Sequence, residues 1–330
     1  MDRAASLLSY IRRSPGSRSV GYRSELTEIS GGYDTKIYRF ALDGMTSLPR
    51  QELVVRLFPG INDGRRATKE ATIQRALSAQ GLPVPDVHFV CIDQAVLGTP
   101  FIVMDHVEGE TLLQVEEPEA SRLMGDAHAL LHDCETDEVI SALARKDIDD
   151  VYFLNLIEKI EQSARYVPWG GEVLRWLKRH QPIEASVSLC HGDFHKLNIM
   201  QDHGDVSGIL DWSNFGVYEP AFDVANTQIS FSIVAKHLTA AGDFEPVNLD
   251  EVLTRYRSAY ATRRTLDTTN LEYYLVLRSA MMLVLAALGF ARVFRHPLIV
   301  SDLCELICEI TNLKLIPEEV LQDVKNGQII

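Results

Sequence analysis

Between Leu189 and Asn226 the chain reads L-C-H-G-D-F-H-K-L-N-I-M, then a short polar turn, V-S-G-I-L-D-W and E-P-A-F-D-V-A-N. No other stretch restricts the possible folds as much. The pattern predicts a loop carrying Asp193, a strand opening with Asn198, a reversal from Asp202 to Asp205 and a returning strand that ends at Asp211. Hairpin pairing of those strands brings Asn198 and Asp211 together, and Asp193 projects from the loop at the same end. A carboxylate base beside an amide oxygen and a second carboxylate suits phosphoryl transfer, which needs an oriented nucleophile and metal ions against developing charge.

The same residues admit plainer readings. Asp193 can cap a loop and Asn198 can sit in a turn. Asp223, just before V-A-N-T-Q-I, is placed to cap a helix and bond the backbone of the preceding loop, not to do chemistry. His191, Asp193 and His195 alternate and can be read as the metal ligands of a hydrolase. No second histidine pair with ligand spacing accompanies them. Cys190 can be read as a thiol nucleophile, but S-V-S-L-C alternates like a strand entering a core, where cysteine is normally inert.

Composition supplies the outer limits. A chain of 330 residues with 46% hydrophobic and 24% charged residues has enough material for two lobes and a substantial core. Its net charge of −14 argues against a nucleic-acid partner. Five cysteines without a C-x-x-C pair fit a reducing compartment, hence a cytoplasmic location. The N-terminal stretch M-D-R-A-A-S-L-L-S-Y-I-R-R lacks the long apolar segment of a secretory leader. Ser279 to Ala291 is apolar but shorter than the roughly 20 residues of a membrane span, so a buried helix is expected and no membrane partner.

Upstream, Lys36 to Leu42 alternates as a strand and Glu52 to Phe58 forms another. Ser30, Gly31 and Gly32 precede the first, where a turn can lay backbone N–H groups over phosphates. Asp63 to Gln80 has a helical rhythm that stops at Gly81, and it carries Glu70. Two further apolar runs, V-H-F-V-C-I and P-F-I-V-M-D-H-V, complete a sheet. Most of the remainder reads as helix, over Glu119 to His132, Asp150 to Tyr166, Glu172 to His180, Phe222 to Leu238, Leu249 to Thr262 and Leu271 to Phe290.

H-G-D-x-x-x-x-N followed by I-L-D-W and F-D-V-A resembles the catalytic core of the aminoglycoside phosphotransferase and choline kinase-like family, distant relatives of protein kinases. The resemblance covers about Glu28 to Asn226. It implies an α+β, protein-kinase-like two-lobed fold: a small antiparallel-sheet nucleotide lobe over residues 1–105 and a mainly helical catalytic and acceptor-binding lobe over 106–330. It makes Asp193 the catalytic carboxylate and Asn198 and Asp211 the Mg²⁺ ligands. Arg56 falls where many kinases have a phosphate-contacting Lys, and Glu70 where its carboxylate partner lies; Arg is a departure from that pattern. Asp105 and Val107 fall at the interlobe hinge, where backbone groups bond the adenine edge. Leu131-His132 matches a helix-ending pair that packs.

The implied activity is ATP-dependent phosphorylation, with GTP as the other candidate nucleotide. The acceptor is a hydroxyl-bearing small molecule such as an aminoglycoside, a macrolide, a sugar or an amino alcohol. No A-P-E segment follows Asp211, which disfavours a protein acceptor. A pseudokinase-like nucleotide-binding protein and a metal-dependent hydrolase are the alternatives. Nothing in the sequence sets the oligomeric state.

Overall fold

The computed structural model describes residues 2–29, 35–44, 52–60, 63–165, 167–183, 186–237, 248–288 and 292–326, side chains at 154, 292–293 and 325–326 excepted. The chain divides into two compact units, each assembled from separate segments: Met1–Glu110, Glu135–Asp149 and Ile199–Ser213 in the first, and Thr111–Cys134, Asp150–Asn198 and Asn214–Ile330 in the second.

The first unit is built on strands β1 (Gly21–Ile29), β2 (Lys36–Asp43), β3 (Glu52–Leu57), β4 (Val87–Cys91) and β5 (Phe101–Asp105), all paired antiparallel in the order β1-β2-β3-β5-β4. β3 is central, and its E-L-V-V-R-L sequence is buried from Leu53 onward because both faces are covered. Side chains alternate between those faces. Leu53, Val55 and Leu57 join Phe40, Phe101 and Val103 on the side packed by helix Arg3–Ile11 through Leu7 and Ile11. Val54 and Phe58 join Ile102 and Met104 on the side of helix Asp63–Ser78, which contributes Ala67 and Ala71. Arg56 shares the parity of Val54, so the strand periodicity aims it at that helix. There Ala67, Glu70, Ala71 and Gln74 are buried at the i, i+3, i+4, i+7 positions of one face.

A hairpin of Ile199–Asp202 and Asp205–Ile209 completes the first unit, pairing Ile199 with Ile209 and Asp202 with Asp205. His203 and Gly204 both have positive φ, 52° and 88°, as a tight two-residue turn between twisted strands requires. The hairpin is pinned by Ile209 N–H to the Pro83 carbonyl at 2.8 Å and by Ser207 Oγ to the Glu108 carbonyl at 2.8 Å. Val107 lies against Gly208, where a Cβ would meet its methyl carbons at 2.8 and 2.9 Å.

The second unit is mainly helical. Helix Leu271–Ala287 packs against Pro220–Ile229, Pro297–Thr311 and Pro317–Asn326 around one apolar core. Helix Glu119–His132 crosses Leu249–Arg263 closely at Gly125, whose absent Cβ would sit 2.3 Å from the Tyr256 carbonyl oxygen. Among the described residues no helix is long and apolar enough to cross a membrane.

Most expected elements are present, with informative shifts. Asn198 ends a 3-10 turn, Lys196–Asn198, and the strand begins one residue later at Ile199. The returning strand stops at Ile209, and Asp211 follows in the left-handed region at φ 60°. The helix expected from Phe222 begins at Pro220, a residue suited to the first helical turn, and widens to a π-helix over Ser230–Ala235. Helices Arg3–Ile11, Thr136–Ala144 and Pro297–Thr311 and strand β1 are additions to the expected set.

Candidate active site

Strand Ser188–Cys190 pairs with Gly216–Tyr218 inside the second unit and delivers the chain into the loop from His191 to Asn198. Gly192 makes the first bend at φ 80°, and a Cβ there would lie 2.1 Å from the Asn214 carbonyl oxygen, so no other residue fits. Asp223, completely buried on helix Pro220–Ile229, accepts the His191 N–H at 2.5 Å and the Gly192 N–H at 2.8 Å. One turn along the same helix, Thr227 Oγ donates to the Phe194 carbonyl at 2.9 Å. Asp223 bonds the loop backbone as expected, but it does not cap the helix, which begins three residues earlier at Pro220 with Glu219 in the N-cap position.

Beneath this grip lies a buried ladder of rings. His128 and His132, one turn apart on helix Glu119–His132, place Nε2 atoms 3.4 and 3.6 Å from Asp223 Oδ2. Their Nδ1 atoms meet the hydroxyls of Tyr256 and Tyr260 at 2.6 and 2.7 Å, again one turn apart on the facing helix. With Nε2 protonated, each imidazole faces the carboxylate with a donor and accepts from a tyrosine. Burial, then the neighbouring His132, pushes the His128 pKa down to about 3 despite Asp223; burial also lowers His132. Burial by itself would raise the Asp223 pKa, but the two histidines hold it far below the usual carboxylate range. Phe194 stacks on His128 with ring centroids 3.9 Å apart.

Asp193 emerges from this support half-buried, its side chain 38% exposed. Its N–H donates to His191 Nδ1 at 3.2 Å, and His195 Nε2 lies 3.5 Å from its carboxylate. Burial opposes ionisation, but His195, Arg278 and His191 together hold the pKa below its ordinary value. Asn198 Nδ2 donates to the Asp193 carbonyl at 2.9 Å, closing the loop on itself. Asp193 and Asn198 are thus brought together in the second unit.

In the first unit the structure joins Arg56, Glu70 and Asp211. Arg56 Nη1 meets Glu70 Oε1 at 2.6 Å and Nη2 meets Asp211 Oδ1 at 3.0 Å. Burial raises the Glu70 pKa to about 7, the Arg56 charge working against it and Asp211 with it. Although it lies on a helix rich in charged residues, Glu70 is buried, at 1% exposure. Ser30, Gly31 and Gly32 lie outside the described residues. Asp105 donates its N–H to the Asp86 carbonyl at 3.0 Å, and its carboxylate meets His88 Nε2 at 2.5 Å.

His191, Asp193 and His195 do not form a metal-ligand cluster among the described residues; the groups that converge closely enough are His128, His132 and Asp223, and Glu52, His106 and Glu108. Alternation along a loop does not converge donors as a helical i, i+4 pair does. The thiol reading fails as well: Cys190 is fully buried, and burial pushes its pKa well up. His128 escaped sequence reasoning: with His132 it is the histidine pair at ligand spacing that the sequence was expected to lack, and the matching spacing of Tyr256 and Tyr260 was the available signal.

A model of the Phosphotransferase enzyme family matches residues 25–266. The aminoglycoside 3'-phosphotransferase of Streptomyces fradiae is 25% identical over 249 residues, covering 69% of this chain and 85% of that protein. Acyl-CoA dehydrogenase family member 10 of Mus musculus is 25% identical over 241 residues, 68% of this chain but 22% of that protein. The chain spans 22% to 31% of the length of that protein and of the related ones from Arabidopsis thaliana and Gallus gallus. A structure from Ralstonia eutropha JMP134, provisionally described as an aminoglycoside phosphotransferase, aligns over 98% of both chains with a TM-score of 0.66 at 18% identity. Aminoglycoside phosphotransferase APH(4)-Ia, in a ternary complex with ADP and hygromycin B, aligns over 98% of both chains with a TM-score of 0.53 at 16% identity. At such identities the structural likeness is one of fold: the kinase-like α+β architecture.

Proposed function

Because the chain belongs to the phosphotransferase enzyme family, we propose that it transfers the γ-phosphoryl group of ATP to a hydroxyl of a small molecule. The observation that carries this reading is the loop from His191 to Asn198: a half-exposed, ionised Asp193 on a backbone fixed by Asp223, Thr227 and Asn198. Such a carboxylate accepts or orients the proton of an incoming hydroxyl without reorganising its surroundings.

Each of the two expected ligands offers an oxygen of the kind taken by Mg²⁺, a hard ion that keeps several waters. Asp211 offers a carboxylate that is 37% exposed and is held in place by Arg56. Asn198 commits its amide nitrogen to the Asp193 carbonyl, so its oxygen is the end available as a ligand. When bound, the metal supplies charge neutralisation for the β- and γ-phosphates. Arg56 is almost fully buried between two carboxylates, so in this reading it orients Asp211 and steadies the phosphates from that position.

In the same reading residues 1–105, with Ser30, Gly31, Gly32, Glu70, Asp105 and Val107, serve the nucleotide, and 106–330 serve catalysis and the acceptor. The complex of APH(4)-Ia with ADP supports a nucleotide ligand, and its hygromycin B a small-molecule acceptor. Five free cysteines support a reducing, cytoplasmic setting. The test is transfer of label from γ-labelled MgATP to a panel of aminoglycosides, macrolides, sugars, amino alcohols and hydroxylated acyl thioesters, the last because of the acyl-CoA dehydrogenase relatives. Mg²⁺-dependent labelling of at least one compound is expected. Absence of labelling together with absence of MgATP binding by calorimetry would refute the proposal.

A further inference from the structure

Helix Pro220–Ile229 grips the catalytic loop with Asp223 and Thr227, and on the adjoining stripe its Phe222 and Asn226 hold a second group. That group is Arg278, from helix Leu271–Ala287. Its guanidinium carbon lies 4.9 Å from the centre of the Phe222 ring, and Nη2 donates to Asn226 Oδ1. Arg278 is 8% exposed and Asn226 0%. Two donors are left over: neither Arg278 Nε nor Asn226 Nδ2 has a hydrogen-bond partner among the described residues. No carboxylate of the described residues comes within ion-pair distance of the guanidinium either. A buried charge is ordinarily paired, and buried donors ordinarily meet acceptors. Here two donors, one of them on a buried cation, stand together with no acceptor among the described residues. Asn226 directly precedes Thr227, whose hydroxyl bonds the loop at Phe194, and while burial lowers the Arg278 pKa, the charges of Asp193 and Asp223 act to sustain it.

We infer that Arg278 and Asn226 recognise an oxyanion, a carboxylate or a phosphate, carried by the hydroxyl-bearing acceptor. The inference rests on the kinase reading and narrows it. A guanidinium fork pairs with two oxygens at once, and the phenyl face of Phe222 fixes its plane. A polycationic acceptor would bring like charge to a desolvated arginine, whereas an anionic hydroxy compound satisfies both orphaned donors as its hydroxyl approaches Asp193. The net charge of −14 is no guide here, because it describes the whole chain and not this spot.

The experiment compares matched acceptors on the full-length wild-type protein: glycerate with glycerol, 3-hydroxybutyrate with butane-1,3-diol, gluconate with glucose, and glucose 1-phosphate with glucose. Both transfer from γ-labelled MgATP and calorimetric binding are measured. The anionic member of at least one pair is expected to win by about 100-fold in kcat/KM or in affinity, the scale of one desolvated charge pair. Preference for gluconate or for glucose 1-phosphate separates a carboxylate from a phosphate. Arg278→Gln should raise the acceptor KM by a similar factor and leave MgATP affinity unchanged, with partial recovery in Arg278→Lys. The inference is overturned if wild-type protein phosphorylates neutral or cationic acceptors in preference to every anionic one, if no anionic probe binds or reacts, or if Arg278→Gln weakens MgATP instead of the acceptor. Loss of MgATP binding and of all turnover in the wild type is a different result, and it removes the kinase reading itself.

Discussion

Replacing Asp223 with Asn preserves volume and removes a charge that four donors surround. Two backbone N–H groups bond the carboxylate at 2.5 and 2.8 Å, and two imidazole Nε2 atoms face it at 3.4 and 3.6 Å. An amide has one accepting end and one donating end, so whichever way it turns, at least one donor meets another donor. A buried donor without an acceptor costs about 1–3 kcal/mol, and breaking up a buried charged set costs about 3–5 kcal/mol. The expected loss is therefore about 3–5 kcal/mol. An unfolding entropy near 2.1 cal/mol/K per residue, applied to 330 residues, converts this to a Tm lowered by about 4–7 °C. Calorimetric scans at pH 7.5, where buried His128 with a pKa of about 3 is neutral, measure it directly. Turnover in the surviving folded fraction should fall while MgATP still binds, because the loop loses its anchor and Asp211 does not. A variant whose Tm stays within about 1 °C of wild type, with unchanged kcat, would refute the view that this carboxylate holds the loop.

Asp193→Asn should leave Tm and MgATP affinity near wild type while lowering kcat by about 100-fold or more in single-turnover measurements, since a base acts in the transition state; near-normal transfer would make the residue structural. Glu70 has a folded pKa of about 7 against an ordinary 4.5, so its favourable contribution is complete below about pH 4.5 and lost as pH rises through about 7. That swing is worth about 3 kcal/mol. Urea denaturation from pH 4.5 to 8 should show Glu70→Gln gaining on the wild type as pH rises, and a constant difference between the two would contradict the assignment. Cys190→Ser should keep turnover within the same order of magnitude, because the serine hydroxyl can donate to the Tyr218 and Glu219 carbonyls that the thiol now faces. Loss of turnover in a folded Cys190→Ser protein would reopen the thiol mechanism.

Much of this arrangement is legible in the sequence because its causes are local. Alternation and short apolar runs located strands β2 to β5, and Asp202 to Asp205 announced a reversal that His203 and Gly204 accomplish with positive φ. Asp223 was readable as a loop anchor from its place at a helix start. What escaped depends on pairings distant in the chain. Arg56 looks commonplace until strand parity turns it toward Glu70, and Glu70 looks solvated until its neighbours at 67, 71 and 74 bury it. His128 and Arg278 carry no motif; their meaning lies in what Asp223 and Asn226 present to them from a single helix distant from both in the sequence. The strand boundaries at Asn198 and Asp211 slipped by one and two residues because a 3-10 turn and a left-handed residue end the hairpin, and neither has a strong sequence signature.

The tyrosine hydroxyls that meet His128 and His132 have a bearing on how far a working copy of this centre must extend. Every letter of the recognisable motif is complete by Asn226, yet Tyr256 and Tyr260 come later, on helix Leu249–Arg263. A fragment cut between those points would keep the whole signature and lose the outer half of the scaffold beneath its loop. The heritable unit of this centre is longer than the text that identifies it, and the family match, running on to residue 266, closes just beyond the second tyrosine.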